Sequence, residues 1–195
     1  MATRHIRMRP VRPNDLPLLY EMFVREEVLW RWRFNGVVPT FESFVRSFTT
    51  GLLVQFVVEP NRSESAPPVP LGLVSSYNMD LRGLTTFVAV VTDARKHRSG
   101  LGMEAMGLFL NYLFSCWPFR KIYFETVAFN FEQFRSGLEE VFVEEGRLRD
   151  HYFLAGRYWD QYICAINREK FYEASVVRAI LRSTVSFKVP EQEDG

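Results

Sequence analysis

The chain has 195 residues, enough for one ordinary domain to bury a core without disulfides or a structural metal. Its 24 Lys and Arg against 23 Asp and Glu leave a formal net charge of +1, too weak a field to hold a polyanion, which argues against nucleic acid as the main partner. Cys116 and Cys164 form no C-x-x-C pair and no Cys/His cluster at metal-ligand spacing, the start of the chain lacks an apolar signal core, and no apolar run approaches the roughly 20 residues that span a bilayer. Reduced thiols in a cytoplasmic protein, with no membrane segment, are the expectation.

In chain order, Ile6 to Val11 reads as a short strand, and Pro13-Asn14-Asp15 opens a helix with Leu16, Leu18, Leu19, Met22 and Phe23 mostly at helical spacing. Glu26 to Pro39 has no clear period. Thr40-Phe41-Glu42-Ser43 resembles a cap before a helix to about Thr50. Leu52 to Glu59 reads as a buried strand, Asn61 to Pro70 as a surface hairpin loop, and Val69 to Met79 and Leu84 to Thr92 as two further strands of an antiparallel meander. From Leu101 to Trp117 no proline interrupts a long helix, which Pro118 stops. Lys121 to Val127 alternates as a strand, Phe131 to Phe142 reads as a helix, and Arg149 to Ile166 is strand-like on both sides of Ala155-Gly156-Arg157. A last helix over Phe171 to Leu181 and an acidic, unstructured tail from Pro190 complete the expectation. No repeat is visible.

The run His97-Arg98-Ser99-Gly100-Leu101-Gly102 stands between a buried strand and the long helix, where backbone N–H groups and a helix N-terminus can cradle phosphate oxygens. A tight capped connection would look the same. A dinucleotide fold would need GxGxxG and a later acidic residue, and a nucleoside-triphosphate loop GxxxxGK[ST]; neither spacing is present.

The run resembles the pyrophosphate loop of the GNAT acyltransferases, Q/R-x-x-G-x-G/A, with His97 at the first position and Gly100 and Gly102 at the other two. Farther on, Phe142-Val143-Glu144-Glu145-Gly146-Arg147-Leu148-Arg149-Asp150-His151 is similar to the F-x-x-E-G-x-L-R-x-H stretch of Rim-type ribosomal-protein N-acetyltransferases, and Asp160 matches as well. The resemblance runs from Ile6 to about Phe171. It implies an α/β fold with a mixed, mostly antiparallel sheet of six to seven strands, splayed between the fourth and fifth, in a single domain over 1–187 followed by a tail at 188–195. It implies acetyl-CoA as acyl donor, bound by Val90, Thr92, His97, Arg98, Ser99, Gly100, Leu101, Gly102 and Asn130.

The catalytic groups match less well. Where Rim-type enzymes carry N-x-x-S this chain reads Asn130-Phe131-Glu132-Gln133, the Tyr found seven residues after that Asn in other members is Gly137, and Val141 replaces the usual Gly before Phe142. The general acid is therefore unassigned, with Ser136 the nearest hydroxyl in sequence. An amine acceptor must shed a proton, so a base is wanted. Glu125, on the fifth strand before Asn130, is the first candidate and His151 the second; a surface Glu and a structural His are the plain alternatives. Trp30, Trp32 and Phe34, interleaved with Arg31 and Arg33, belong either to the core or to a cover over the acceptor. Cys116 is expected mid-core at a helix end and is not proposed as a nucleophile.

The expectation is an N-acyltransferase in which an amine attacks the thioester directly in a ternary complex. The acceptor is a protein N-terminus or a small-molecule amine. Alternatives are an amino-sugar or specialised-metabolite acyltransferase and a catalytically weak acyl-CoA-binding module. An apolar stripe of Val176, Val177, Ile180 and Leu181 raises a homodimer, packing on the chain's own core being the other use for it.

Overall fold

A computed structural model describes residues 1–29, 34, 36–61, 69–93, 100–131 and 140–184. Strand β1, Ile6–Pro10, ends at a proline that can donate no further ladder bond, and a 3-10 turn at Pro13–Asp15 leads into α1, Leu16–Phe23. After α2, Glu26–Leu29, the Thr40 hydroxyl accepts the Ser43 N–H at 3.2 Å and starts α3, Phe41–Ser47. The cap is as expected, but the helix stops short of Thr50.

Three antiparallel strands follow: β2, Leu52–Pro60, β3, Gly72–Asp80, and β4, Thr85–Thr92. Helix α4, Leu101–Cys116, returns the chain to β5, Lys121–Val127, which lies parallel to β4. Strands β6, Val143–Leu154, and β7, Arg157–Asn167, form a hairpin whose two turn residues, Ala155 and Gly156, both have positive φ, at 53° and 77°. The seven-stranded sheet has the order β1-β2-β3-β4-β5-β7-β6, the mixed and mostly antiparallel arrangement expected.

The sheet is covered on both faces. On one, α4 buries Leu108, Phe109, Leu113 and Phe114 against Val74, Val88, Ile122, Cys164 and Ile166. On the other, α1 and α3 bury Leu19, Met22, Phe23, Phe44 and Phe48 against Val57, Leu73 and Val91. Phe34 packs on Phe44, 6.1 Å between ring centres, and so has a core role.

Several expectations need correction. The last helix is two, α5, Arg168–Glu173, and α6, Ser175–Arg182, because Ala174 is extended at φ −63° and ψ 133°. Its stripe is not exposed: Val177 is buried, Val176 and Leu181 pack on the α4-side core, and Ile180 lies over Gly107 of α4. The surface that motivated a homodimer is thus covered by the chain itself. Strand β6 begins at Val143, well before Arg149, and helical residues after β5 begin at 128, ahead of Phe131, while 140–142 are turn and coil. Cys116 is exposed, not mid-core, whereas Cys164 is buried and burial pushes its thiol up to about 12, so it stays protonated and unreactive. The middle of the Asn61–Pro70 loop and the tail from 185 lie outside the described residues.

Candidate active site

The parallel ladder between β4 and β5 is short: Thr85 faces Lys121, Thr86 faces Ile122 and Phe87 faces Tyr123, and there it ends. Each strand then follows its antiparallel partner. β4 stays with β3 as far as Thr92 opposite Gly72, and β5 stays with β7 as far as Val127 opposite Gln161. Val88–Thr92 and Phe124–Val127 consequently diverge as the two sides of a V whose facing backbone groups have no strand partner. Such groups are open to a ligand with amides of its own.

The open end of the V meets the N-terminus of α4. Gly100 caps that helix in the left-handed region, φ 76° and ψ −10°, and its carbonyl accepts the Glu104 N–H at 3.1 Å. The N–H groups at the start of α4 have no partner within the helix and carry the positive end of its dipole. A Cβ on Gly102 would stand 3.5 Å from Thr92 Cγ2, so the end of β4 and the first turn of α4 are in van der Waals contact, and a longer side chain would fill the space between them. Val90 and Leu101 are half-buried against the α4-side core. The structure therefore brings together Val90, Thr92, Gly100, Leu101 and Gly102. Asn130 is half-buried in the helical turn at 128–131 just beyond β5. His97, Arg98 and Ser99, like Ser136, Trp30 and Trp32, lie outside the described residues.

On the face opposite α4, the vertex of the V is aromatic. Tyr77, Phe87 and Tyr123 sit abreast on β3, β4 and β5, their ring centres 5.8 and 5.2 Å apart. Strand alternation puts Glu125 on the same face, one step toward the opening. Glu125 is exposed, and no ion pair is made to it among the described residues. His151 is exposed too, in a bulge of β6, with its ring edge-on to Tyr152 at 5.8 Å. The two candidate bases are not hydrogen-bonded to each other.

Three residues here escaped the sequence reading. Tyr77 sits on the vertex, and its phenol is pushed up to about 12, first by burial and then by Glu125 and Tyr152. Tyr152 stands on β6 opposite Trp159 of β7. Gln55, opposite Ser75 and so on the Tyr77 face, has a buried side-chain oxygen without a partner among the described residues. Only Gln55 left a signal in sequence, a polar residue inside an otherwise apolar strand.

No protein-family model matches the chain, and no match was found among curated proteins. Solved structures do match. The spermidine N-acetyltransferase of Vibrio cholerae in complex with CoA and spermine superposes with a TM-score of 0.73 at 20% identity, over 86% of this chain and 98% of that one. A spermidine N-acetyltransferase SpeG chimera from Vibrio cholerae and hSSAT gives 0.71 at 20% identity, over 87% and 99%. The spermidine/spermine N-acetyltransferase SpeG from Vibrio cholerae with manganese ions gives 0.68 at 20% identity, over 88% and 97%. At this level of identity the likeness shows that the chain has the GNAT fold.

Proposed function

We propose that the chain is an acetyl-CoA-dependent N-acetyltransferase acting on an amine. The observation that carries this reading is the V between β4 and β5 opening onto a helix N-terminus capped by a left-handed glycine. A pantetheine arm fits the V because it can pair its amides with the unpartnered edge of β4 at Val90 and Thr92. A pyrophosphate fits the first turn of α4 because free N–H groups and the dipole both favour negative charge there. His97, Arg98 and Ser99 complete that loop in the proposal, and Asn130 stands beside the arm.

Acetyl-CoA supplies an acyl group activated as a thioester. A neutral amine at the vertex attacks its carbonyl carbon, the C–N bond forms, the C–S bond breaks and coenzyme A leaves as thiolate. Glu125 accepts the amine proton, directly or through water, and holding donor and acceptor together contributes the rest. Neither cysteine takes part. The structural neighbours act on spermidine or bind spermine, and an alkyl polyamine is accordingly the first acceptor class. A Rim-type protein N-terminus is the second reading, carried by the stretch Phe142 to His151.

The test is calorimetric titration with acetyl-CoA and CoA, followed by thiol release with spermidine, an amino sugar and a peptide amine. Micromolar binding of both nucleotides and turnover with spermidine are expected. No binding of either nucleotide would sink the reading; turnover with the peptide alone would favour the Rim-type branch.

A further inference from the structure

The sheet has two edge strands, β1 and β6, and they are finished differently. Along β1 the preceding segment folds back: Ala2 bridges Arg7, and the Met8 N–H donates to the Met1 carbonyl at 2.7 Å. Strand β6 pairs with β7 alone among the described residues, so the outward N–H and C=O groups between Val143 and Leu148 have no strand beside them. Such an edge is either shielded by its side chains or used to add another strand. The arrangement of side chains along β6 decides between the two.

Opposed residues of a ladder share a face, so the register with β7 sorts β6 into two sets. Val143, Gly146 and Leu148 oppose Ala165, Ile163 and Gln161 on one face; Glu144 and Arg147 oppose Cys164 and Tyr162 on the other, and Glu145 is the extra residue of a bulge. Glu145 is already used within the chain, accepting Lys121 Nζ at 2.5 Å and the Tyr123 hydroxyl at 2.9 Å. Glu144 is exposed and makes no ion pair among the described residues. Val143 and Leu148 are large apolar side chains left 37% and 40% exposed. A second β6 laid antiparallel on this edge, Gly146 against Gly146, brings each Val143 opposite Leu148 of the other copy on one face and each Glu144 opposite its Arg147 on the other. Moving the axis one place either way sets Glu144 against Glu144 or Arg147 against Arg147, and like charges directly opposed are destabilising. The bulge bends this edge away from a regular strand, whereas a second β6 carries the same bend at the symmetric place.

We propose that the β6 edge is the docking surface for a second copy of this chain, paired antiparallel about a two-fold axis at Gly146 so that two seven-stranded sheets join into one. The axis makes the interface self-complementary, each apolar contact and each charge pair occurring twice. Arg147 can serve a partner while Asp160 holds it through Nε at 2.6 Å, because half of its side chain remains exposed, at 50%. The surface is distinct from the α6 stripe, which the chain covers itself, and the proposal does not depend on the acetyltransferase reading.

The experiment is sedimentation velocity of the full chain from about 5 to 500 µM, a range suited to the small interface of a short ladder, with hydrogen exchange of residues 143–148 followed at both ends of the range. The mass should rise from one chain to two, and exchange at 143–148 should slow in the concentrated sample. Glu144→Arg and Leu148→Lys should each raise the dissociation constant about tenfold or more, the first by opposing like charges and the second by removing an apolar contact. Arg147→Glu should do the same, and an equimolar mixture of the Glu144→Arg and Arg147→Glu chains should recover the dimer, since every contact across the axis again joins opposite charges. A single-chain mass throughout, a dimer with unchanged exchange at 143–148, or unchanged dissociation constants in Glu144→Arg and Leu148→Lys would each overturn the proposal. So would a mixture no more dimeric than its two folded components. If Arg147→Glu does not fold without its Asp160 contact, Glu144→Arg and Leu148→Lys decide alone.

Discussion

Gly100 and Gly102 are alike in sequence and different in the fold. Gly100 is at φ 76° with open space where a Cβ would go, so Gly100→Ala meets no clash but forces a left-handed alanine, at about 1–2 kcal/mol. For a chain of this size that corresponds to a melting temperature lower by about 2–8 °C. Gly102→Ala brings its Cβ into ordinary contact with Thr92 and should leave the melting temperature nearly unchanged. Glutamate at either position puts a negative charge where pyrophosphate is proposed to bind, and CoA titration should show no binding in the folded variant. Equal melting shifts for the two alanines would contradict the cap geometry. Glu125 presents a separable question, since its exposed carboxylate at the vertex is proposed to act on the amine and not on the nucleotide. Glu125→Gln should keep acetyl-CoA affinity and lower turnover by roughly 10²–10⁴. The acidic limb of the pH–rate profile should disappear in Glu125→Gln and persist in His151→Asn. Full turnover by Glu125→Gln at low pH would reduce the site to an orienting scaffold.

Among the elements, α6 is held by its close approach to α4 at Gly107, where an added Cβ would stand 3.0 Å from Ile180 Cδ1. Gly107→Ala combines a helix-propensity gain of about 1 kcal/mol with a small displacement of a flexible Ile end, and the net change in urea midpoint should be small. Gly107→Leu should cost about 1–3 kcal/mol by lifting α6, and Ile180→Ala should recover part of it. Absence of recovery would show that the strain lies elsewhere. Elements with sharp local punctuation were legible from sequence: β5 matches Lys121–Val127 to the residue, and α4 ends just before Pro118. The break at Ala174 was not, because neither Gly nor Pro marks it and docking on α4 dictates the bend. The start of β6 was hidden for a different reason: most of this edge strand is exposed, so Val143 to Leu148 lacks the apolar alternation that reveals a half-buried strand. The site divides the same way. Its proposed nucleotide side is encoded in one continuous strand–turn–helix segment, whereas Tyr77, Phe87 and Tyr123 come abreast only through the pairing of three strands, which no local period records.

Across the whole molecule, one buried ionic chain ties the first strand to the sheet and to the turn that launches α1. Glu59 of β2 is fully buried between Arg7 and Arg9 of β1, and Arg9 donates Nε to Glu59 at 2.8 Å while its two terminal nitrogens grip Asp15 at 2.7 and 2.8 Å. Burial makes such a chain costly to break, because each lost partner strands a charge that water cannot reach. Arg9→Ala should therefore destabilise the protein at neutral pH by roughly 3–5 kcal/mol, more than a surface ion pair could account for. Acidity should narrow that difference. The Arg9 bond, helped by the Arg12 N–H and opposed by burial, holds the Asp15 carboxyl below its ordinary value of 3.8. A carboxyl depressed in the folded state contributes stability above its unfolded value and loses it as pH falls through the folded one. Urea midpoints for parent and Arg9→Ala should therefore stay a constant distance apart from pH 7 to pH 5, and converge below about pH 4 as Asp15 takes up its proton and the Arg9 fork loses its charge partner. A separation that persists undiminished into strong acid would assign the stabilisation to the packing of the Arg9 stem against β1 and β2, and not to the ionic chain.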